Sequence, residues 1–175
     1  MRVYEISAQN RIMSVSENWD GFALANTGEG ALSATVRGRP IWDFVGGLET
    51  RSYLNALFFA ARRHRARVAV RYRGDGPTER RVYQLQIEPQ GEEDLRLLHI
   101  PLDIARRFCR APSAEELARL SCCSQCLRWG RGAAWDDSDL FHSHAPGKVD
   151  FAICPACRIA AQRAIDQALS SRQVH

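Results

Sequence analysis

Val68-Ala69-Val70-Arg71-Tyr72-Arg73 and Arg81-Val82-Tyr83-Gln84-Leu85-Gln86-Ile87-Glu88 are two alternating runs separated by a turn cluster, Gly74-Asp75-Gly76-Pro77. The apolar side chains fall on Val68, Val70 and Tyr72 in the first run, and on Tyr83, Leu85 and Ile87 in the second. A period of two is that of a strand with one face buried. The glycines, Asp75 and Pro77 supply the turn between them. A third strand is expected over 95–100, beyond the polar loop Gln90-Gly91-Glu92-Glu93. On this pattern Arg71 and Arg73 belong to the outward, solvated face.

Upstream of the sheet, 51–64 carries apolar side chains at 53, 54, 57, 58 and 61, one broad face of a helix, with Thr50 as its expected N-cap. Residues 11–15 suit a short strand and 31–36 a second one. Trp19, Phe22 and Ala23 open a helical or turn segment, and Ile41-Trp42-Asp43-Phe44-Val45 reads as a short helix closed by Gly46-Gly47. Residues 1–10 are polar and expected to be loosely held. A helical connector is expected over 101–121, broken by Pro112, with Ser113 and Glu116 in the pattern of a capping box.

The order of strand, strand, short helices, a longer helix and three strands resembles the PAS fold. Ser14-Val15-Ser16-Glu17-Asn18-Trp19-Asp20-Gly21-Phe22-Ala23 is similar to the opening of bacterial PAS-like domains, and Gly38-Arg39-Pro40-Ile41-Trp42-Asp43-Phe44 to a later segment of theirs. Tyr72-Arg73-Gly74-Asp75-Gly76-Pro77 with Arg80 or Arg81 resembles an arginine–aspartate hairpin in one group of such domains. The resemblance implies an α+β fold over 1–100, a PAS-like antiparallel sheet with flanking helices. It also implies a half-open barrel that holds a small-molecule ligand or dimerises. No cysteine precedes Cys109, which removes covalent chromophore chemistry from this part. His64 and His99 are its only imidazoles. A haem-ligand role for His99 is weaker than that of a satisfied strand residue. Trp19, Trp42, Phe44, Phe58 and Phe59 are read as core in preference to pocket lining.

Cys123-Ser124-Gln125-Cys126 and Cys154-Pro155-Ala156-Cys157 form two C-x-x-C knuckles. Two such turns bring four sulfurs around one ion at Zn–S of about 2.3 Å, and four protein ligands leave no position open for water. Structural Zn2+ held by Cys123, Cys126, Cys154 and Cys157 is therefore preferred to a thiol redox switch or to free thiols. Metal binding supplies ~10 kcal/mol or more toward folding a short segment. A zinc-stabilised module is expected over 122–175, ending in a helix with a stripe of Ile159, Ala161, Ile165 and Leu169. Cys122 could replace Cys123 at a longer spacing, and His142 or His144 could join the site, although exposed loop histidines are the simpler reading. The segment also resembles the ends of some bacterial signalling proteins through Trp135 and Ile153-Cys154-Pro155-Ala156-Cys157, with Asp150-Phe151-Ala152 where those have serine–histidine–glycine.

The 175 residues are 45% hydrophobic, as expected of a folded globular chain. The longest uninterrupted apolar run, 56–61, is far short of the roughly 20 residues a membrane span needs, and no export signal opens the chain. A cytoplasmic protein without membrane contact is expected. Net charge is +4, and of the 24 basic residues all but Lys148 are Arg. Eight arginines lie between Arg62 and Arg81 against Asp75 and Glu79. Nucleic acid is thus an alternative partner, disfavoured because the excess is mild. No phosphate-binding loop, dinucleotide fingerprint, zinc-protease helix or nucleophile elbow occurs. The expected function is a non-enzymatic signalling sensor or adaptor. Its PAS-like part senses or dimerises, and its zinc segment contacts a protein partner.

Overall fold

In a computed structural model, residues 1–26, 28–76, 78–142 and 148–170 are described. A five-stranded antiparallel sheet runs in the order β2-β1-β5-β4-β3. Its strands are β1 (Arg2–Ile6), β2 (Ile12–Val15), β3 (Val68–Arg73), β4 (Glu79–Gln90) and β5 (Asp94–Arg106). Between β2 and β3 lie α1 (Trp19–Ala25), α2 (Ser33–Val36), single 3-10 turns at Glu29–Ala31 and Ile41–Phe44, and the long α3 (Leu48–His64). The fold is α+β, an antiparallel sheet flanked by helices and followed by a cysteine-rich segment.

The inner face follows the alternation. Val68 and Val70 of β3, Leu85 and Ile87 of β4, Leu95 and Leu97 of β5 and Ile6 of β1 are all buried. They meet Leu57, Phe58 and Ala61 of α3 in one core. Arg62, Arg63 and His64 end α3 beside its carbonyl pole, where positive charge is favourable.

Several expectations change. Residues 2–6 are not loose: β1 is an inner strand between β2 and β5, because Arg2, Tyr4 and Ile6 alternate inward while Glu5 accepts a 2.8 Å hydrogen bond from the Ser14 hydroxyl. Residues 33–36 are helical instead of extended. Asp20 accepts from both the backbone N–H of Ser33 (2.6 Å) and its hydroxyl (2.7 Å), which holds the start of α2 against α1. Thr50 lies inside α3, whose N-cap is Gly47 at φ 78°, a conformation glycine adopts without strain. In 101–121 the chain stays in β5 as far as Arg106, and only α4 (Ala114–Leu117) is helical. Its Ser113–Glu116 capping box is present.

The C-terminal segment adds a second sheet in the order β8-β7-β6-β9: β6 (Ser121–Cys123), β7 (Trp129–Arg131), β8 (Ala134–Asp136) and β9 (Asp150–Ala152). Cys122, Leu127, Trp129 and Leu140 form a small core of their own. The final helix α5 (Pro155–Ser170) leaves that core and packs on α3 and β3. Its buried face is Ala161, Ala164 and Ala168, whereas Ile159 is 52% and Leu169 42% exposed, so the stripe expected from those two residues is displaced. Small side chains let the α5 backbone come close to its neighbours, a gain that the bulkier residues would forfeit. Cys123, Ile153, Cys154, Cys157 and the three alanines belong to the same hydrophobic core as β1 and β3–β5. Among the described residues, no helix is long and apolar enough to cross a membrane.

Enlarging this contact should be felt by the whole fold. Ala164→Leu is expected to lower unfolding free energy by about 1–3 kcal/mol in a single denaturant transition. Unchanged stability would contradict close packing of α5.

Candidate metal centre and adjoining cavity

Strands β6 and β9 run parallel, with Cys123 opposite Ala152. Each leads directly into a C-x-x-C turn, so parallel pairing sets the two knuckles side by side. In the first turn the Leu127 N–H donates to the Cys123 carbonyl (2.9 Å) and the Cys123 N–H to the Arg128 carbonyl (2.8 Å), with Leu127 left-handed at φ 54°. In the second, Pro155 starts α5, where its missing N–H costs nothing and its fixed φ suits a helix. Cys157 thus lies in the first turn of a 16-residue helix, whose positive end favours thiolate.

The sulfurs of Cys123, Cys126, Cys154 and Cys157 all lie within 4.8 Å of one another, and Cys126 Sγ is 3.6 Å from Cys154 Sγ. A regular tetrahedron with metal–sulfur bonds of 2.3 Å has sulfurs about 3.8 Å apart. The donor set and its spacing therefore fit a tetrahedral metal ion. The Cys154 N–H donates to Cys123 Sγ at 3.4 Å, as an amide does to a thiolate. Without metal the thiols compete for protons. Hydrogen bonds from Cys126 and Cys157 hold Cys123 far below the usual thiol range, the contact with Cys123 pushes Cys126 up to about 12, and contacts with Cys123 and Cys126 raise Cys157. A cation at the centre would relieve that competition by holding all four as thiolates.

Cys122 is buried in the small second core and its thiol lies 3.9 Å from the Cys123 carbonyl, outside the four-sulfur group. His142 also lies outside it. That ring packs edge-on against Phe151, and burial lowers its proton affinity. His144 lies outside the described residues.

Residues that sequence reasoning did not select hold the centre against the rest of the chain. The Thr50 hydroxyl donates to Ser124 Oγ (2.8 Å) within the first knuckle. Glu49 accepts from the Ile153 N–H (2.8 Å) and pairs with Arg158 (2.9 Å) at the second. The Arg73 N–H donates to the Gln125 carbonyl (2.6 Å). Burial, then the charges of Cys157 and its neighbours, raises the proton affinity of Tyr53.

Arg73 is not outward and solvated. Its side chain is 7% exposed, pairs with Asp75 and reaches Asp137 at 2.7 Å, with Arg107 also on Asp137 at 3.0 Å. The alternation fails there because the chain after β8 supplies Asp137 as a lid over the end of β3. Two carboxylates then offset the cost of burying the guanidinium.

A cavity of about 400 Å³ lies between the other end of the sheet's inner face and the α1–α2 region. Trp19 and Phe44 line it, together with Tyr4, Tyr72 and His99. Phe58 is fully buried in the core with Trp42 packed against it, while Phe59 is 63% exposed. His99 stacks on Tyr4 (5.4 Å between ring centres), and its Nδ1 is 2.6 Å from the Tyr72 hydroxyl. It is a satisfied strand histidine that also faces a cavity. The clue to this polar end was the alternation of Arg2, Tyr4 and Ile6.

Burial, and then the nearby Arg2 charge, pushes the His99 imidazole from 6.5 down to about 4. An unfolded chain therefore takes up this proton before the folded one does, and stability falls as pH drops from about 6.5 toward 4. His99→Gln is expected to flatten that part of the stability profile. An unchanged slope would show that the imidazole is already solvated in the folded protein.

No protein-family model matches the chain, and neither a curated protein nor a solved structure matches it.

Proposed function

We propose that the protein is a non-enzymatic, cytoplasmic sensor or adaptor, built from a PAS-like domain and a C-terminal segment locked by structural Zn2+. In this reading 1–100 form the PAS-like part, 101–121 the connection and 122–175 the metal segment, a division of roles over a shared core. The observation that carries the reading is that Cys123, Cys154 and Cys157 belong to the same core as the sheet whose far end walls the cavity. A change in cavity occupancy that moves the sheet or α3 would be felt at the knuckles through Thr50, Glu49 and Arg73. The metal segment, with its second sheet, would present the surface that a protein partner or a second copy reads.

The strand order supports the PAS-like reading, with short helices and one longer helix inserted between the second and third strands. Four protein thiolates favour a structural ion over a hydrolytic one. The nucleic-acid reading has less support. Of the eight arginines between Arg62 and Arg81, Arg62 and Arg65 donate to backbone carbonyls, while Arg73, Arg80 and Arg81 pair with carboxylates. The charges of Arg73, Arg80 and Arg81 are balanced by carboxylates of the chain itself, which leaves a smaller basic excess for phosphates.

Mass spectrometry of the untreated protein, native and then denatured, tests the metal half of this proposal. One zinc per chain is expected in the native spectrum and none after denaturation, with occupancy reduced in Cys154→Ser. A metal-free chain, lighter by the hydrogens lost from its thiols, would replace the structural ion with a redox switch.

A further inference from the structure

The inner face of the large sheet changes character along its length. Toward α3 it is wholly apolar, with Ile6, Leu95, Leu97 and Ile87 fully buried. At the opposite end, Arg2 and His99 face each other across the β1–β5 pair, and Tyr72 stacks on Tyr83 across β3–β4. These polar groups border a cavity whose other walls are mainly apolar, including Trp19, Phe22, Val36, Ile41 and Leu54. Its volume of about 400 Å³ is within the range of about 300–1,000 Å³ usual for small-molecule sites.

Arg2 decides what such a site would take. Its guanidinium lies 3.5 Å from the centre of the Phe22 ring and 4.8 Å from that of Tyr83. Arg2 lines the cavity together with Tyr72, whose hydroxyl lies 2.6 Å from His99 Nδ1. Among the described residues it forms no ion pair with a carboxylate, unlike Arg73, Arg81 or Arg110. A guanidinium held by aromatic faces at the mouth of an apolar cavity retains donors for a planar, bidentate anion.

We infer that this cavity binds a small apolar monocarboxylate, an aromatic or medium-chain aliphatic acid, with its carboxylate on Arg2. The hydrocarbon body lies among Trp19, Phe22, Ile41 and Leu54, and Tyr72 and His99 border the head group. The inference deepens the sensor reading by naming the class of molecule sensed, and it rests on that reading only for the consequence of binding.

Octanoate and 1-octanol share a chain length and differ in the head group, so calorimetric titration of the full-length protein with each isolates the role of Arg2. Octanoate is expected to bind saturably and at least tenfold more tightly than octanol. Arg2→Met should erase that preference, and Arg2→Lys should restore part of it. Leu54→Trp, which fills the cavity, should remove binding of both while leaving Arg2 in place. Equal binding of acid and alcohol by the wild-type protein, a preference that survives Arg2→Met, or no octanoate binding would each overturn the inference. Zinc content measured on the same samples separates this from failure of the wider reading. A zinc-loaded protein that ignores octanoate sinks the ligand class alone, whereas a protein without zinc sinks the metal-locked sensor.

Discussion

The rest of the structure depends on one constraint: two short strands, β6 and β9, pair in parallel and both run directly into C-x-x-C turns. That pairing gathers four sulfurs to within 4.8 Å and at the same time sets the direction of α5, since Cys157 is already in its first turn. A divalent ion at that point would fix the strand ends, the helix start and the chain between them together. The alanine face of α5 then lies on α3 and β3, and the metal centre becomes part of the main core. Short strands of three residues gain little from their own ladders, so a bound ion and the shared core would carry the stability of the segment.

The contacts from the rest of the chain reinforce this arrangement at both knuckles. Thr50 and Glu49, one turn at the start of α3, reach the first and second knuckle respectively. Arg73 and Asp75, at the end of β3, meet Asp137 from the C-terminal segment. A buried guanidinium with one carboxylate from each side is costly to expose and to break, since removing one partner of such a group typically costs about 3–5 kcal/mol. The polar end of the inner sheet face is organised differently. There Arg2 is held by rings instead of carboxylates, and the space in front of it stays open as a cavity.

Much of this was legible in the sequence where a physical pattern is local. Alternation identified the inner faces of β3 and β4, the C-x-x-C spacing identified the four sulfurs, and Ser113 with Glu116 identified the cap of α4. The failures were long-range. Arg73 alternates outward by pattern, but Asp137, 64 residues later, covers it. A stripe of α5 through Ile159 and Leu169 follows the usual rule that large apolar residues face inward. Close approach to α3 instead selects Ala161, Ala164 and Ala168. Residues 31–36 have the composition of a strand, yet Asp20 caps the backbone at Ser33 into a helical turn. In β1 the charges of Arg2 and Glu5 masked an inner strand. Its partner β5 lies more than 80 residues away, beyond the reach of local periodicity.

The shared core implies that the four-cysteine centre and the large sheet open as one cooperative unit. Backbone hydrogen exchange, followed on the metal-loaded protein and after removal of metal by a chelator under reducing conditions, tests it most directly. Metal removal is expected to raise exchange in α5 and β6, and also in α3 and β3, which share the core with Cys154 and Cys157. Faster exchange confined to the C-terminal segment, with α3 and β3 fully protected, would contradict it and make the metal segment an independent appendage.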